Sequence, residues 1–309
     1  MRIFVTGASG NIGRAVVEEL LRQHHEPVCL VRRDVMLPGC SLVYGDLAQA
    51  RELDKELGKA EAVIHLASPR STEREQVVAE DILGTGQLLD LWRRGPFVLA
   101  SSQTVYGIPQ EVLREGASTD PGSWYDLGKI CNEHQLAMAA AQGAKGAAPK
   151  TGISLRIPLL YGTGKGRFNR QYLLYVYQHC KRNGVFYFDS EEGLETYGSS
   201  FIGEADCGRA FAAALDVQQS GVYNVASGFC TWKTLIEQIN RWAGTRARWA
   251  VRRAGGPQPD EFRLPQSVSL LDTTRFNGIA KFAPADSVEA ILEEYIGLDP
   301  YLERPGSRV

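Results

Sequence analysis

Short runs of apolar residues, many of them β-branched, alternate along the first half of the chain with segments of helical periodicity. The runs are apolar at successive positions, as strands buried on both faces are, and five of them come first: RIFVT, EPVCLVR, SLVYGD, AEAVIHLAS and PFVLASS. AVVEELLRQ, after the first run, has apolar residues at helical spacing. GISLRIPLLYG at 152–162 and GVYNVAS at 221–227 predict two more strands. This alternation predicts an α/β fold built on a doubly wound parallel sheet of about seven strands.

The regular alternation ends after Gly162 and gives way to a stretch rich in aromatic and basic residues. Strand and helix patterns resume at SSFIGEADCGRAFAAAL, and TWKTLIEQINRWAG and DSVEAILEEYIG predict two later helices, the last one capped by Asp286 or Ser287. We predict a smaller C-terminal lobe at 163–200 and 228–309. Its aromatic residues either form the core of that lobe or line a substrate pocket; they are Phe168, Tyr172, Tyr175, Tyr177, Phe186, Tyr187 and Phe188.

The composition is that of an ordinary globular protein. With 44% hydrophobic residues and a net charge of -2, the chain has no charge excess to attract nucleic acid or an anionic membrane, so we expect a small-molecule partner. MRIFVTGASG enters a strand at once and leaves no room for a secretion signal, and no apolar run approaches the roughly 20 residues of a membrane helix. We therefore expect a soluble, cytoplasmic protein. The six cysteines lie far apart in sequence, which indicates reduced thiols and no metal site.

Three glycines lie between the first strand and the first helix, in TGASGNIG: Gly7, Gly10 and Gly13. Glycines at this place allow a tight turn, a close approach of the backbone to a pyrophosphate and close packing of the helix on the sheet. The helix N-terminus adds free N–H groups and a positive dipole. The spacing is GxxGxxG, whereas the standard fingerprint is GxGxxG. The segment predicts a Rossmann dinucleotide-binding domain at 1–162, to which 201–227 return, and assigns substrate binding to the smaller lobe.

The second strand ends in Arg32 and Arg33, where an acidic residue usually accepts a bond from the adenosine ribose. A carboxylate would repel a 2′-phosphate, whereas a guanidinium can bind it through paired charge-assisted hydrogen bonds. The pair therefore favours NADP(H), with NAD(H) as the alternative. In the competing interpretation both arginines are solvated and Asp34 binds the ribose. Asp46 either accepts from the adenine amino group or caps the next helix.

A candidate proton-transfer group follows further along the chain. Tyr125 and Lys129 in SWYDLGK are four residues apart and share one face of a helix. A phenol ordinarily ionises near pH 10, and a neighbouring ammonium stabilises the phenolate. Ser101 and Ser102 follow the fifth strand, at the carboxyl edge where open α/β sheets bind ligands. A hydroxyl there can hold a carbonyl oxygen beside the phenol.

The segments TGASGNIG, GDL, VIHLAS, SSQTVYG, YDLGK, LRIPLLYGTG and GVYNVAS, in this order, resemble the extended short-chain dehydrogenase/reductase family, the NAD-dependent epimerase/dehydratase superfamily. The resemblance spans nearly the whole chain. It implies that Ser102 polarises the substrate, that Tyr125 is the acid/base group and that Lys129 assists it and binds ribose, while Ser101 is structural. It also implies a homodimer formed by the helix before the fifth strand and the helix at 125–141.

The motifs and the resemblance together give two sets of candidate ligand-binding residues. The predicted cofactor site consists of Gly7, Ser9, Gly10, Asn11, Ile12, Gly13, Arg32, Arg33, Asp46, Leu47, Leu66, Ala67, Ser68, Ala100, Tyr125, Lys129, Ile157 and Pro158. The predicted substrate contacts are Arg70, Gln103, Thr104 and Leu160.

Five positions depart from the family's pattern, and the first four of them bear on the substrate. Gln103 and Thr104 stand where the dehydratases carry two carboxylates, which argues against elimination of water. Leu159 and Ser200 stand where nucleotide-sugar enzymes carry an asparagine and an arginine that serve the diphosphate. Three other basic residues could replace these clamps: Lys165, Arg167 and Arg170. Asp81 stands where the family frequently has asparagine.

The leading hypothesis is an NADP(H)-dependent reductase of a ketone or related carbonyl, with Tyr125 as proton donor. The first alternative is a nucleotide-sugar 4-epimerase with retained NAD. The second alternative is a non-enzymatic NADP-sensing or scaffold protein, which would have no need of Ser102, Tyr125 and Lys129 together.

Overall fold

The computed structural model describes residues 1–69, 73–143, 149–162, 172–252 and 263–297. The strands are β1 (Arg2–Thr6), β2 (Glu26–Val31), β3 (Ser41–Tyr44), β4 (Ala62–His65), β5 (Gly95–Ser102), β6 (Gln110–Leu113), β7 (Lys150–Ile157), β8 (Leu159–Tyr161), β9 (Val185–Phe188), β10 (Gly198–Gly203), β11 (Gly221–Asn224), β12 (Gly228–Thr231), β13 (Arg248–Val251) and β14 (Val268–Leu271).

The α-helices are α1 (Asn11–Arg22), α2 (Asp54–Leu57), α3 (Arg74–Gln76), α4 (Gly84–Leu91), α5 (Trp124–Gly143), α6 (Tyr172–Lys181), α7 (Glu191–Thr196), α8 (Glu204–Ala214), α9 (Trp232–Ala243), α10 (Thr274–Ile279) and α11 (Val288–Gly297). Two 3-10 segments lie at Leu47–Leu53 and Gln103–Tyr106, and a π-helical segment at Val77–Leu83 joins α3 to α4. None of the described helices is long and apolar enough to cross a bilayer.

The central sheet has seven strands, all parallel, in the order β11–β7–β5–β4–β1–β2–β3. This confirms the predicted fold class. Strands β2 and β3 lie on one side of β1, whereas β4 and the later strands lie on the other. The strand order therefore reverses between β1 and β4, and the carboxyl ends of these strands form the crevice where open α/β sheets bind ligands.

Burial explains why the runs form central strands. Ile3, Phe4 and Val5 of β1 are fully buried, so both faces of the strand are covered by packed helices, as parallel sheets require. On one face α1 packs against α8, where a Cβ on Gly208 would approach the backbone oxygen of Ala15 to 2.5 Å. The absence of a side chain at this glycine lets the two helices meet closely.

The predicted sixth strand is in fact two strands in different sheets. Residues 152–157 lie in β7 of the central sheet, whereas Leu159–Tyr161 form β8, which pairs with β10 in a second sheet. Pro158 stands between them. Because proline has no N–H to donate to a strand ladder, the chain leaves the central sheet at this residue.

The second sheet has the order β12–β10–β14–β6, and β9 and β13 form a separate pair. Around it lies a cluster of aromatic side chains in which Tyr177, Phe186 and Phe188 are buried. These residues form core in the C-terminal half of the protein, while Phe168 lies outside the described residues. The division into a dinucleotide-binding domain and a substrate-binding lobe stays a prediction.

Candidate active site

The glycine turn between β1 and α1 has the geometry of a phosphate cradle. Gly7 has a φ of +70°, and a Cβ there would lie 2.6 Å from the backbone nitrogen of Ala67. A Cβ on Gly13 would collide with the Gly7 carbonyl oxygen and approach the Cα of Ala8 to 2.6 Å. Gly10 precedes α1, and no side chain caps the helix there. The first N–H groups of α1 therefore suit an anion such as a pyrophosphate.

A buried histidine ties the ends of β1 and β4 together. The hydroxyl of Thr6 accepts the backbone N–H groups of Leu66 and Ala67, each at 3.2 Å, and lies 2.6 Å from Nδ1 of His65. Nε2 of His65 lies 2.9 Å from Oγ1 of Thr85. Because the Thr6 oxygen already accepts two bonds, its proton goes to Nδ1, and Nε2–H donates to Thr85.

His65 carries no charge in this network. Burial, followed by the charge of Lys129, lowers the pKa of His65 to about 3. The neutral ring fixes the backbone that leads from β4 to Ser68 at the carboxyl edge of the sheet. His65 is not among the residues predicted from the sequence, although a histidine at the end of an otherwise apolar strand indicates a polar network there.

The end of β2 carries two arginines, and one of them lies near two carboxylates. Nη1 of Arg32 lies 3.8 Å from Asp46 and 3.6 Å from Glu80, whereas Arg33 is exposed and forms no ion pair within the described part of the chain. Asp46 also accepts the backbone N–H of Ala48 at 2.9 Å and so caps the segment Leu47–Leu53. Arg33 is therefore accessible to a 2′-phosphate, whereas a 2′-phosphate would compete with the two carboxylates for Arg32.

Asp34, the alternative ribose ligand, accepts a hydrogen bond of 2.7 Å from the Tyr44 hydroxyl at the exposed end of β3. That bond occupies one oxygen of the carboxylate. The other oxygen leaves ribose binding open as a competing arrangement.

Helix α5 brings Tyr125 and Lys129 to one face, as their spacing requires. The Nζ of Lys129 lies 5.3 Å from the centroid of the Tyr125 ring and donates to Oγ of Ser68 at 3.1 Å. The same nitrogen lies 3.4 Å from each oxygen of Asp81. Lys129 is almost fully buried and Tyr125 is half-buried. The phenol ring and the ammonium thus form one unit.

The neighbouring serines differ in their partners. The Ser102 hydroxyl shares a hydrogen bond of 2.9 Å with the hydroxyl of Thr104 and accepts the Thr104 N–H at 3.2 Å. Ser101 instead donates to Glu133 of α5 at 2.6 Å. Glu133 pairs with Arg156 of β7 through two bonds of 2.9 and 2.7 Å. Ser101 thus belongs to a buried ionic network that fixes α5 on the sheet, and Ser102 stands at the carboxyl end of β5.

Gln103 and Ser200 stand at two of the departures from the family's pattern, and both contact the second sheet. Gln103 is buried, and its Nε2 donates to the hydroxyl of Ser199 at 3.0 Å. Ser200 is buried as well, and its hydroxyl accepts the backbone N–H of Leu271 at 2.9 Å. A serine that is hydrogen-bonded to a neighbouring strand therefore stands where the family's nucleotide-sugar enzymes carry an arginine that serves the diphosphate. Thr104 is exposed.

The remaining predicted site residues fall into four groups. Ser9 lies in the turn before α1, and Asn11 and Ile12 are the first two residues of that helix. The ends of β5 and β7 and the turns after β4 and β7 contain partly or fully buried apolar residues: Leu66, Ala67, Ala100, Ile157 and Pro158. Leu47 and Leu160 pack within hydrophobic clusters. Arg70, Lys165, Arg167 and Arg170 lie outside the described residues.

The chain belongs to the NAD-dependent epimerase/dehydratase family, which it matches over residues 3–226. The resemblance predicted from the motifs is thereby confirmed.

Three relatives show how the similarity is distributed. The chain is 26% identical over 284 residues to the UDP-glucose 4-epimerase of Corynebacterium glutamicum, covering 83% of this chain and 85% of that protein. It is 31% identical over 154 residues to the dTDP-glucose 4,6-dehydratase of Streptomyces antibioticus, covering 42% and 43%. It is 30% identical over 158 residues to sterol demethylase protein B of Methylococcus capsulatus, covering 46% and 48%. The last two alignments span less than half the length of those relatives.

Solved structures share the fold over the whole chain. The UDP-glucose 4-epimerase of Thermotoga maritima, solved with UDP-glucose, superposes with a TM-score of 0.78 at 18% identity, covering 97% of this chain and 99% of that one. The UDP-glucose 4-epimerase of Thermus thermophilus, in complex with NAD, gives 0.73 at 22% identity, covering 96% and 99%. At these identities the likeness establishes the fold and nothing finer.

Proposed function

We propose that this chain is an NADP(H)-dependent oxidoreductase that reduces a ketone or a related carbonyl. The observation that carries the proposal is the buried Lys129 ammonium 5.3 Å from the centre of the Tyr125 ring. An ammonium in that place stabilises a phenolate, so the phenol can release its proton and later recover it. The glycine turn at the carboxyl edge of the same sheet supports a dinucleotide as partner.

A bound dinucleotide supplies a hydride, with its two electrons, to the carbonyl carbon. The chain's own residues handle the oxygen and the proton. Ser102 donates a hydrogen bond to the carbonyl oxygen, and Tyr125 transfers its phenolic proton to that oxygen as negative charge develops, which yields the alcohol. Lys129 stabilises the phenolate left behind, and a solvent proton restores the phenol.

Elimination of water lacks its agents in this site. Gln103 and Thr104 are an amide and a hydroxyl, and neither can act as the carboxylic acid or carboxylate that removes water from a sugar. Ser200 stands at the position of the arginine that serves the sugar diphosphate, and its hydroxyl accepts the backbone N–H of Leu271. These contacts favour a substrate without a nucleotide diphosphate.

A nucleotide-sugar 4-epimerase with retained NAD is the second candidate. The UDP-glucose 4-epimerase of Corynebacterium glutamicum aligns with 83% of this chain. In addition, Asp46 and Glu80 lie near Arg32 and reduce its attraction for a 2′-phosphate. Purified protein that carries NAD, and that interconverts nucleotide sugars without net consumption of cofactor, would establish this function in place of the reductase.

A substrate panel with a tyrosine variant tests the proposal. Ketones and nucleotide sugars are assayed by cofactor absorbance with NADPH and with NADH. We expect turnover of a ketone, and a loss of about 10²–10⁴-fold in Tyr125→Phe with cofactor affinity retained. The matched control is Tyr223→Phe. Tyr223 lies in β11 at the edge of the sheet, and its hydroxyl donates to the backbone oxygen of Gln219 at 2.8 Å, so the same hydroxyl is removed outside the proposed site. Full turnover by Tyr125→Phe would refute the proposed role, and cofactor binding without turnover of any substrate would favour a sensor.

The cofactor preference depends on Arg33. We expect Arg33→Asp to weaken NADPH binding by about tenfold or more while NADH binding changes less, since only NADPH carries the 2′-phosphate that pairs with a guanidinium. Arg241→Asp, which alters the last turn of α9, is the control for the change in net charge. Equal losses for NADPH and NADH, or activity with NADH alone, would contradict the preference.

A further inference from the structure

Asp81 is a buried carboxylate enclosed between the π-helical segment and α5. Each of its oxygens lies 3.4 Å from Nζ of Lys129, and the Asp81 side chain is 1% exposed. Gly128 allows this approach, because a Cβ there would lie 3.2 Å from Oδ2 of Asp81 and 2.8 Å from Cγ1 of Val77. The π-helical winding of Val77–Leu83 is a rare conformation that frequently occurs at functional sites. The carboxylate is thus held against the lysine by both packed elements.

The charge of Asp81 changes what Lys129 does to Tyr125. A lone ammonium beside a phenol stabilises the phenolate. A carboxylate paired with that ammonium cancels much of its field, and in a buried site the cancellation is strong because little water screens it. The carboxylate therefore lowers the stabilisation of the phenolate. An asparagine, which the family frequently has at this position, would leave the ammonium to act alone.

Three other titratable groups near the carboxyl edge of the sheet do not supply a compensating charge. His65 at the end of β4 is neutral, because burial lowers its pKa to about 3. Arg156 of β7 is paired with Glu133 of α5. Burial raises the pKa of Tyr106, in the 3-10 segment after β5, so that this phenol is protonated at neutral pH. Among the described residues, Asp81 is the carboxylate that forms an ion pair with Lys129.

We propose that Asp81 is a positioning residue that, by pairing with Lys129, keeps Tyr125 in the protonated form that donates to a carbonyl oxygen. In reduction the O–H of Tyr125 gives its proton to the carbonyl oxygen while the carbon gains the hydride. The inference rests on the proposed function only in that Tyr125 is its acid/base group.

The ionisation of Tyr125 can be measured without any substrate. Protein labelled with ¹³C at the tyrosine ζ-carbon is titrated by NMR, and the Tyr125 signal is the one absent from Tyr125→Phe. We expect the Asp81→Asn variant to ionise Tyr125 about one pH unit lower than wild type does. Asp81→Glu, which keeps the carboxylate, should restore the wild-type titration. Asp90→Asn removes an exposed carboxylate from α4 and should leave it unchanged.

Activity assays give a second readout. Only the protonated phenol can donate to the carbonyl oxygen, so kcat/KM for reduction falls with rising pH as Tyr125 ionises. This fall should occur about one pH unit lower in Asp81→Asn than in wild type. Should Asp81→Asn be too unstable to purify, Asp81→Ser, which keeps a hydroxyl acceptor for Lys129, takes its place. An unchanged or higher titration midpoint for Tyr125 in a folded neutral variant would overturn the inference, even if turnover remained. Absence of turnover with the expected titration would instead count against the proposed function.

Discussion

His65 lies fully buried between Thr6 and Thr85, and burial lowers its pKa to about 3. In the unfolded chain a histidine titrates near pH 6.5. Below that pH His65 binds a proton in the unfolded state but not in the folded state. The free energy of unfolding therefore falls as the pH falls from about 6.5 towards 3. A single such group contributes a slope of about 1.4 kcal/mol per pH unit. We expect acid to destabilise this protein well above the pH at which carboxylates titrate.

Urea unfolding at several pH values between 7.5 and 5 measures this slope. His65→Gln should be less stable than wild type at pH 7.5, since a buried network is broken, but its stability should depend less steeply on pH. His134→Gln, at an exposed position of α5, should keep the wild-type slope. Because burial also lowers the pKa of His25, the comparison is made between slopes. Equal slopes in wild type and His65→Gln would contradict the prediction.

At the residue scale, the sequence predicted contacts within one element better than contacts between elements. Tyr125 and Lys129 share a helix face because residues four apart must, and no tertiary information was needed. The carboxylates at 3.6 and 3.8 Å from Arg32 come from separate segments, and only the packed structure brings them together. The same holds for Asp81 and Lys129, which are 48 residues apart in sequence.

At the element scale, the turn between β1 and α1 is a steric unit. We expect Gly13→Ala to lower the free energy of unfolding by about 1–3 kcal/mol, because the new methyl group would be forced against the Gly7 carbonyl oxygen and the Ala8 backbone. Displacement of the helix start should also weaken dinucleotide binding by at least about tenfold, or ~1.4 kcal/mol. Chemical denaturation and a cofactor titration measure the two effects.

A matched glycine separates this collision from a general effect of alanine. Gly278 lies in α10, and a Cβ there would have no neighbour within 4 Å. Gly278→Ala should therefore stabilise the protein by about 0.5–1 kcal/mol, since alanine loses less backbone entropy in a helix, and should leave cofactor binding unchanged. If Gly13→Ala bound the dinucleotide as tightly as wild type, the turn would not be the phosphate cradle.

The elements themselves were predictable where their pattern was uniform. The central strands and α1 follow from buried apolar runs and helical spacing. Ser287 caps α11, since its hydroxyl accepts the Ala290 N–H at 3.2 Å. The other cap candidate, Asp286, accepts the Asp206 N–H at 2.8 Å. The sequence could not distinguish these two roles, nor could it show that the run at 152–162 divides at Pro158, because both halves are equally apolar.

At the scale of the whole molecule, the alternation of strands and helices was enough to predict the parallel sheet, since right-handed crossovers leave few arrangements. The second sheet was not predictable in this way. Its strands are short and come from distant segments, as where β6 pairs with β14 through Gln110 and Val268. Short strands have weak periodicity, and their pairing depends on the packing of the rest of the chain.

The predicted homodimer would form through the outer face of two neighbouring helical segments. The π-helical segment and α5 lie side by side, where Gln135 donates to the backbone oxygen of Ile82 at 3.1 Å. Next to this contact, two large apolar side chains are solvent-exposed, Leu83 at 57% and Met138 at 62%. We propose that a second copy of the chain covers them, because the resemblance implies pairing through these two helices and because a patch shared by adjacent helices is more than scattered surface exposure.

Sedimentation at micromolar concentration decides the oligomeric state. Wild type should sediment as a dimer and Leu83→Glu as a monomer. In a twofold interface the new carboxylate would be buried, without a partner of opposite charge, near the same carboxylate of the second copy. The Leu83→Glu monomer should still unfold cooperatively, which shows that the chain itself remains folded. Ile279→Glu, at an exposed apolar position of α10, should remain dimeric. A monomeric wild type would remove the interface, and a dimeric Leu83→Glu would move it to another face.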